Sequence, residues 1–124
     1  GDALFLSHWM RESGLNDLLT ELKDTVWVGM SGGSMVMSPR IGKEFVGWKQ
    51  PSGDDRALGL VDFAIFPHLD NESLPDNTMA AARKWATGLD CVAYAIDDET
   101  AICVVDGVVD VVSEGHWHRF DLSQ

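Results

Sequence analysis

Ser31 stands among glycines in Gly29-Met30-Ser31-Gly32-Gly33, with one apolar run before it and another, Met35-Val36-Met37, after it. A serine hydroxyl attacks a carbonyl at neutral pH only when a histidine takes its proton and an acid holds that histidine in the right tautomer. The chain offers that set in the order Ser31, acid, His68. Gly-x-Ser-x-Gly spacing suits a strained strand-to-helix corner, a nucleophile elbow, whose neighbours lack side chains so that strand, helix and substrate can approach closely. Ser31 would then point out of a sheet edge at a helix N-terminus, with the Gly32 N–H beside the place where an oxyanion forms. The same five residues could be a glycine-rich turn without chemistry; the readable strand and helix on either side favour the nucleophile.

The elements that must position these groups follow from the hydrophobic pattern. Asp2 is placed to cap a helix whose apolar face includes Leu6, Trp9 and Met10, and His8 and Trp9 on it read as packing residues. Gly14 interrupts this pattern, and Leu15, Leu18, Leu19 and Leu22 restart it, capped by Asn16 or Ser13. Val26 to Met30, β-branched and aromatic, reads as the buried strand that leads into Ser31. The segment from Ser38 to Arg56 is long and irregular, which in a compact domain usually signals function, and it carries Glu44, Asp54 and Asp55 as acids for a histidine. Leu58 to Phe66 reads as a second buried strand, so His68 stands just past its carboxyl end, where open α/β sheets place working residues. Thr78 to Thr87 reads as a helix capped by Asp76 or Asn77 and closed by Gly88, and Val92 to Ile96 as a strand. Asp106-Gly107 between β-branched runs is a type I′ hairpin signal, so the chain ends antiparallel. His116 and His118 share one face of a last strand at a spacing able to bind metal; with no third ligand nearby they read as a solvated face.

Composition bounds the partners. The 124 residues carry a formal charge of −11, which argues against nucleic acid or an anionic membrane, since both need a basic face. One domain spanning residues 1–124 is expected, with no bilayer-spanning run and no signal segment, and the chain reads as cytoplasmic. Cys91 and Cys103 lack CxxC spacing and read as buried, reduced thiols. No metal or other cofactor is called for.

The elbow, together with Leu58-Gly59-Leu60-Val61 and Phe66-Pro67-His68, resembles the peptidase E (aspartyl dipeptidase) family of serine peptidases, to which cyanophycinase is related. The likeness implies a class I glutamine amidotransferase-like α/β fold with a parallel sheet, although true amidotransferases carry cysteine at the elbow. It carries the nucleophile to Ser31 and the base to His68. No clear motif fixes the acid, which is carried to Glu44, with Asp54 and Asp55 as rivals and Asp70 or Glu72 outside that loop. Three departures stand out: Gly32 replaces the family's usual alanine, the acid is unfixed, and the N-terminal strands are absent. Gly1-Asp2 resembles the tail of the family's glycine loop, which makes Gly1 the second oxyanion donor beside Gly32. The chain thus resembles the C-terminal part of a member, truncated at its N-terminus. A missing neighbour would leave an apolar sheet edge, and a homodimer is the expected cover. The implied activity is acyl-enzyme hydrolysis of short peptides, including Asp-X dipeptides, or of small esters. An aspartate preference needs a cation, for which Arg40, Arg56 and Arg83 are the candidates. The contrasting expectation is an inactive scaffold or binding module that retains the elbow as architecture.

Overall fold

The computed structural model describes residues 1–122 and divides into two compact units, Gly1–Asp62 and the part beginning at Phe63. Helices build the first unit. The Asp2 carboxylate caps α1 (Ala3–Glu12) by accepting from the Phe5 N–H at 3.0 Å, and its other oxygen accepts from the Trp48 N–H at 2.8 Å. One side chain therefore starts a helix and ties down a distant loop. Gly14, at φ 83°, turns the chain into α2 (Leu15–Leu19), so the N-cap falls on the glycine rather than on Asn16 or Ser13. Leu4, Met10, Met35, Val36, Ile41 and Ala57 form the core of this unit. The long segment after Met37 folds back on itself. Arg40 and Arg56 form a bridge, Asp55 accepts from Arg40 Nε at 3.0 Å and from the Gly42 N–H at 2.8 Å, and the Gln50 amide donates to Asp54 and to the Arg56 carbonyl.

Two strands expected in this region take other forms. Val26 to Gly29 form no β-ladder and make no backbone hydrogen bonds among the described residues, and Val26 and Val28 are 83% and 87% exposed. Their composition suits a strand, but a strand exists only when a neighbour takes its backbone groups. Leu58 to Val61 likewise stay outside the sheet. Their N–H groups donate to the carbonyls of Val36, Met37 and Ser38, and Gly59 bends the chain with φ at +66°. The apolar run becomes a strand only at β1 (Phe63–Phe66), which is buried throughout.

The second unit holds a three-stranded sheet in the order β1-β2-β5. β1 runs parallel to β2 (Val92–Ile96), with Phe66 opposite Ala95, and β5 (Trp117–Phe120) runs antiparallel on the far side of β2. The fold is thus mixed α/β, and the parallel pair is flanked by an antiparallel strand. α4 (Met79–Thr87) starts at Thr78, whose hydroxyl accepts from the Ala81 N–H at 3.1 Å, displacing the cap from Asp76 or Asn77. Its buried Trp85 meets Phe66 edge-on at 5.5 Å between ring centroids. β3 (Thr100–Val105) and β4 (Val108–Ser113) form the hairpin expected from Asp106-Gly107, both of which have positive φ, as a type I′ turn requires. Among the described residues this ribbon pairs with itself, so Cys103 is exposed rather than buried; Cys91 is half-buried, and neither cysteine is in a disulfide.

His116 sits in the turn before β5 and works as a clamp. Its Nε2 meets Asp70 at 2.7 Å and its Nδ1 meets Asp97 at 3.0 Å, while its N–H donates to Asp97 at 2.7 Å. The expected pairing of His116 with His118 on one solvated face gives way to separate roles, since His118 packs its ring on Phe120 at 4.6 Å. The hydrogen bond to Asp70, aided by the charge of Asp97, raises the His116 pKa above the ordinary imidazole value. Burial opposes the Asp97 carboxylate, but hydrogen bonds from Thr100, His116 and Glu99 outweigh it and hold its pKa below the usual range.

Two outcomes are expected from this fold. An unpaired extended apolar segment is a template for strand addition, so the chain should self-associate in sedimentation velocity and Val28→Lys should weaken that association. The clamp's stabilisation by His116 is full below the unfolded imidazole pKa of about 6.5 and is lost as pH rises through the raised folded value. NMR titration should therefore place the His116 midpoint above about 6.5 and move it down in Asp70→Asn.

Candidate functional site

Ser31 adopts φ 54° and ψ −124°, a left-handed conformation that a non-glycine residue rarely holds. The cause lies in its neighbours. A Cβ on Gly29 would lie 2.3 Å from the Gly33 carbonyl oxygen, so only glycine lets the chain double back there. The Gly33 N–H closes the turn on the Met30 carbonyl at 2.8 Å, and the Trp27 indole donates to the Gly33 carbonyl at 3.1 Å. The chain then enters α3 (Gly32–Met35), where the carbonyl of Ser31 accepts from the N–H groups of Ser34 and Met35 and from the Ser34 hydroxyl at 2.6 Å. Gly33 itself has open space where a side chain would stand.

Gly32 follows at the first helical position, where its N–H has no acceptor among the described residues. A Cβ there would lie 3.0 Å from the Gly1 carbonyl oxygen, which brings Gly1 and Gly32 side by side. Both line, with Ser31, a hollow of about 500 Å³ whose other walls include Phe5, Leu6, Trp9 and Met30. Glu44 lies in a short 3₁₀ turn, Lys43–Phe45, with an exposed side chain. Asp54 and Asp55 are occupied in stapling the long loop, and hydrogen bonding from the Arg56 N–H holds the Asp54 pKa below its usual value.

In the second unit His68 stands two residues past the end of β1, also left-handed at φ 56°. Leu69 beside it is buried and donates its N–H to the Ile96 carbonyl, extending the grip of β2 on this loop. The carboxylate that holds His68 is Asp98: its Oδ1 lies 2.6 Å from His68 Nδ1, and its Oδ2 accepts from the Asn71 amide. The bond to His68, followed by that to Asn71, lowers the Asp98 pKa. Asp98, in the polar turn after β2, is thus the carboxylate on His68, a position the sequence analysis does not assign as the acid. A signal for it existed. Parallel pairing sets Phe66 opposite Ala95, so the residues just past both carboxyl ends, His68 and the Asp97-Asp98-Glu99 turn, emerge at one sheet edge. Asp70 serves His116, and His68 Nε2 carries no hydrogen bond among the described residues. His116 differs in having a carboxylate on each ring nitrogen.

The three candidate cations are engaged too: Arg40 with Asp55, Arg56 with Asp54 at 3.9 Å, and Arg83 over the Phe120 ring at 5.7 Å. Among the described residues no group of three or more His, Cys, Asp or Glu side chains is arranged to hold a metal ion, and no helix is long and apolar enough to cross a membrane.

A left-handed serine at a glycine corner and a histidine held by a carboxylate are features that known peptidases can be compared against. The fold is similar to the crystal structure of a candidate peptidase E protein from Listeria monocytogenes EGD-e, with a TM-score of 0.69 at 23% identity. The match covers 93% of this chain and 57% of that one, so the chain spans little more than half the length of that structure. No curated protein matches it. The model of peptidase family S51 matches residues 1–112, nearly the whole chain, and on that extent the protein belongs to peptidase family S51.

Proposed function

We propose that the protein is a serine peptidase that cleaves short peptides or small esters through an acyl-enzyme, with Ser31 at a nucleophile elbow as the attacking group. The observation that carries this reading is the left-handed backbone of Ser31, enforced by the Gly29–Gly33 approach. Strained residues that the surroundings over-determine cluster at reactive sites, and this one cost about 1–3 kcal/mol to hold. His68 is the base and Asp98 its orienter, supported by the 2.6 Å contact at Nδ1, which leaves Nε2 for the proton. Glu44, expected in that role from the sequence, is replaced by Asp98 in this proposal.

The chemistry then runs in two balanced halves. Ser31 Oγ bonds to the carbonyl carbon as its proton passes to His68 Nε2, and the oxyanion takes the N–H of Gly32, with Gly1 beside it as the second donor. The intermediate collapses by breaking the bond to the leaving amine or alkoxide, which takes the proton from His68. Water attacks the acyl-enzyme, giving one proton to His68, and that proton returns to Ser31 Oγ as the acid product leaves. Asp98 stays ionised throughout and holds the imidazole in the tautomer with its proton on Nδ1. We propose a homodimer as the cover for the unpaired Val26–Gly29 segment, supported by its exposed valines.

A fluorophosphonate probe should add to the intact protein at one site, and Ser31→Ala should abolish both labelling and hydrolysis with an unchanged circular dichroism spectrum. Labelling of Ser31→Ala at the wild-type level would refute the nucleophile. Asp98→Asn should lower kcat about 10²–10⁴-fold, while Glu44→Gln stays near wild type. For the corner itself, Gly29→Ala should lose about 1–3 kcal/mol of stability in urea unfolding and lose labelling, because a Cβ would overlap backbone. Gly33→Ala, with open space around it, should keep both.

A further inference from the structure

We infer that His116 is a positioning residue for His68: it joins Asp70 to Asp97, locking the loop that carries the base to the turn that carries Asp98, and the lock is closed when its ring is protonated. His116 has this role only if His68 is the base, as proposed above. All the groups concerned lie in the second unit.

His68 and Asp70 belong to one loop and are both left-handed, at φ 56° and 54°. Residues other than glycine keep that conformation only when their surroundings over-determine it. Backbone bonds secure part of the loop, the Leu69 N–H donating to the Ile96 carbonyl and the Asp70 N–H to the Asn77 carbonyl. Two side-chain links then tie it to the turn between β2 and β3. In one, Asp98 holds His68 and Asn71; in the other, Asp70 and Asp97 share the His116 ring, which meets them at 2.7 and 3.0 Å. Asp97 is itself fixed, because it accepts from the Glu99 N–H, the Thr100 hydroxyl and the His116 N–H. Room for its carboxylate depends on Gly115, where a Cβ would overlap it.

Protonation decides whether both links hold. An imidazolium presents an N–H at each ring nitrogen, whereas neutral imidazole presents one and turns a lone pair on the other carboxylate. The charged groups facing the ring are Asp70, from the loop after β1, and Asp97, from the turn after β2. The hydrogen bond to Asp70 and the charge of Asp97 both favour the cation and hold it to higher pH than in an ordinary imidazole. When the proton leaves, the two carboxylates fare differently. Asp97 keeps three other donors, while among the described residues the Asp70 carboxylate accepts from the ring alone. The Asp70 link therefore opens as pH rises through the His116 midpoint, which frees that side of the loop bearing His68. The ring is 55% exposed, where ion pairs add little to overall stability, so the effect falls on loop geometry.

The chain has four histidines, so each ring can be assigned by single substitutions in long-range proton–nitrogen NMR spectra. The neutral form of His68 should carry its proton on Nδ1, and that tautomer should fade as pH rises through the His116 midpoint. Asp70→Asn should move this fading to lower pH together with the midpoint. His116→Gln, and Gly115→Ala, which keeps every charge but displaces Asp97, should lower the share of the Nδ1 tautomer below that midpoint. In both, kcat should fall about 10–10²-fold with KM little changed. If these variants keep the tautomer and its pH dependence and lose only unfolding midpoint, or if the fading stays put in Asp70→Asn, the assignment is overturned. If His68 responds as expected while the unsubstituted protein hydrolyses no peptide or ester, the proposed peptidase activity fails and the lock stands.

Discussion

The approach of Gly29 to Gly33 is the constraint from which the geometry around Ser31 follows. With 2.3 Å from a hypothetical Cβ to a carbonyl oxygen, any larger residue at position 29 would open the corner. Closed, it drives Ser31 to positive φ, starts α3 immediately behind it and leaves the Gly32 N–H without an acceptor among the described residues. The two glycines are not equivalent. Gly29 yields to a close backbone contact, whereas Gly33 contributes mainly a carbonyl that the Trp27 indole reaches. A short helix of four residues suffices because Met35 and Val36 are buried against Leu4 and Ile41 and so anchor the corner from its C-terminal side.

Local chemistry made several elements legible in advance. Asp2 capping α1, the Asp106-Gly107 turn and the span of β2 depend on interactions within a few residues, and each appears where the sequence places it. Long-range pairing was less legible. Val26 to Met30 has strand composition, but ladder bonds must come from a neighbour, and none reaches it among the described residues. Leu58 to Val61 is drawn away from the sheet by the free carbonyls at the end of α3, a competition invisible in hydropathy.

The carboxylate on His68 shows the same limit. Proximity in sequence favoured the loop between Ser31 and His68, but its aspartates hold that loop together. Asp98 is 30 positions from His68 and reaches it because β1 and β2 run parallel in register. Parallel strands bring together the residues that follow them, whatever the length of the crossover, here one that contains α4.

The distribution of order around Ser31 has a further consequence. Behind it lie α3 and a buried core; ahead lies an extended segment held by the Gly29 contact and the Trp27 indole. A strained residue keeps its conformation only when both flanks resist relaxation. The C-terminal flank resists through burial of Met35 and Val36, and the N-terminal flank through the approach of Gly29 and the Trp27 indole to the Gly33 carbonyl and the Gly33 N–H bond to the Met30 carbonyl. Gly33 thus supports the serine's geometry through both its carbonyl and its N–H. Any neighbour that took the backbone groups of Val26 to Gly29 into a ladder would add a further support, and would thereby couple the covering of that edge to the order of Ser31.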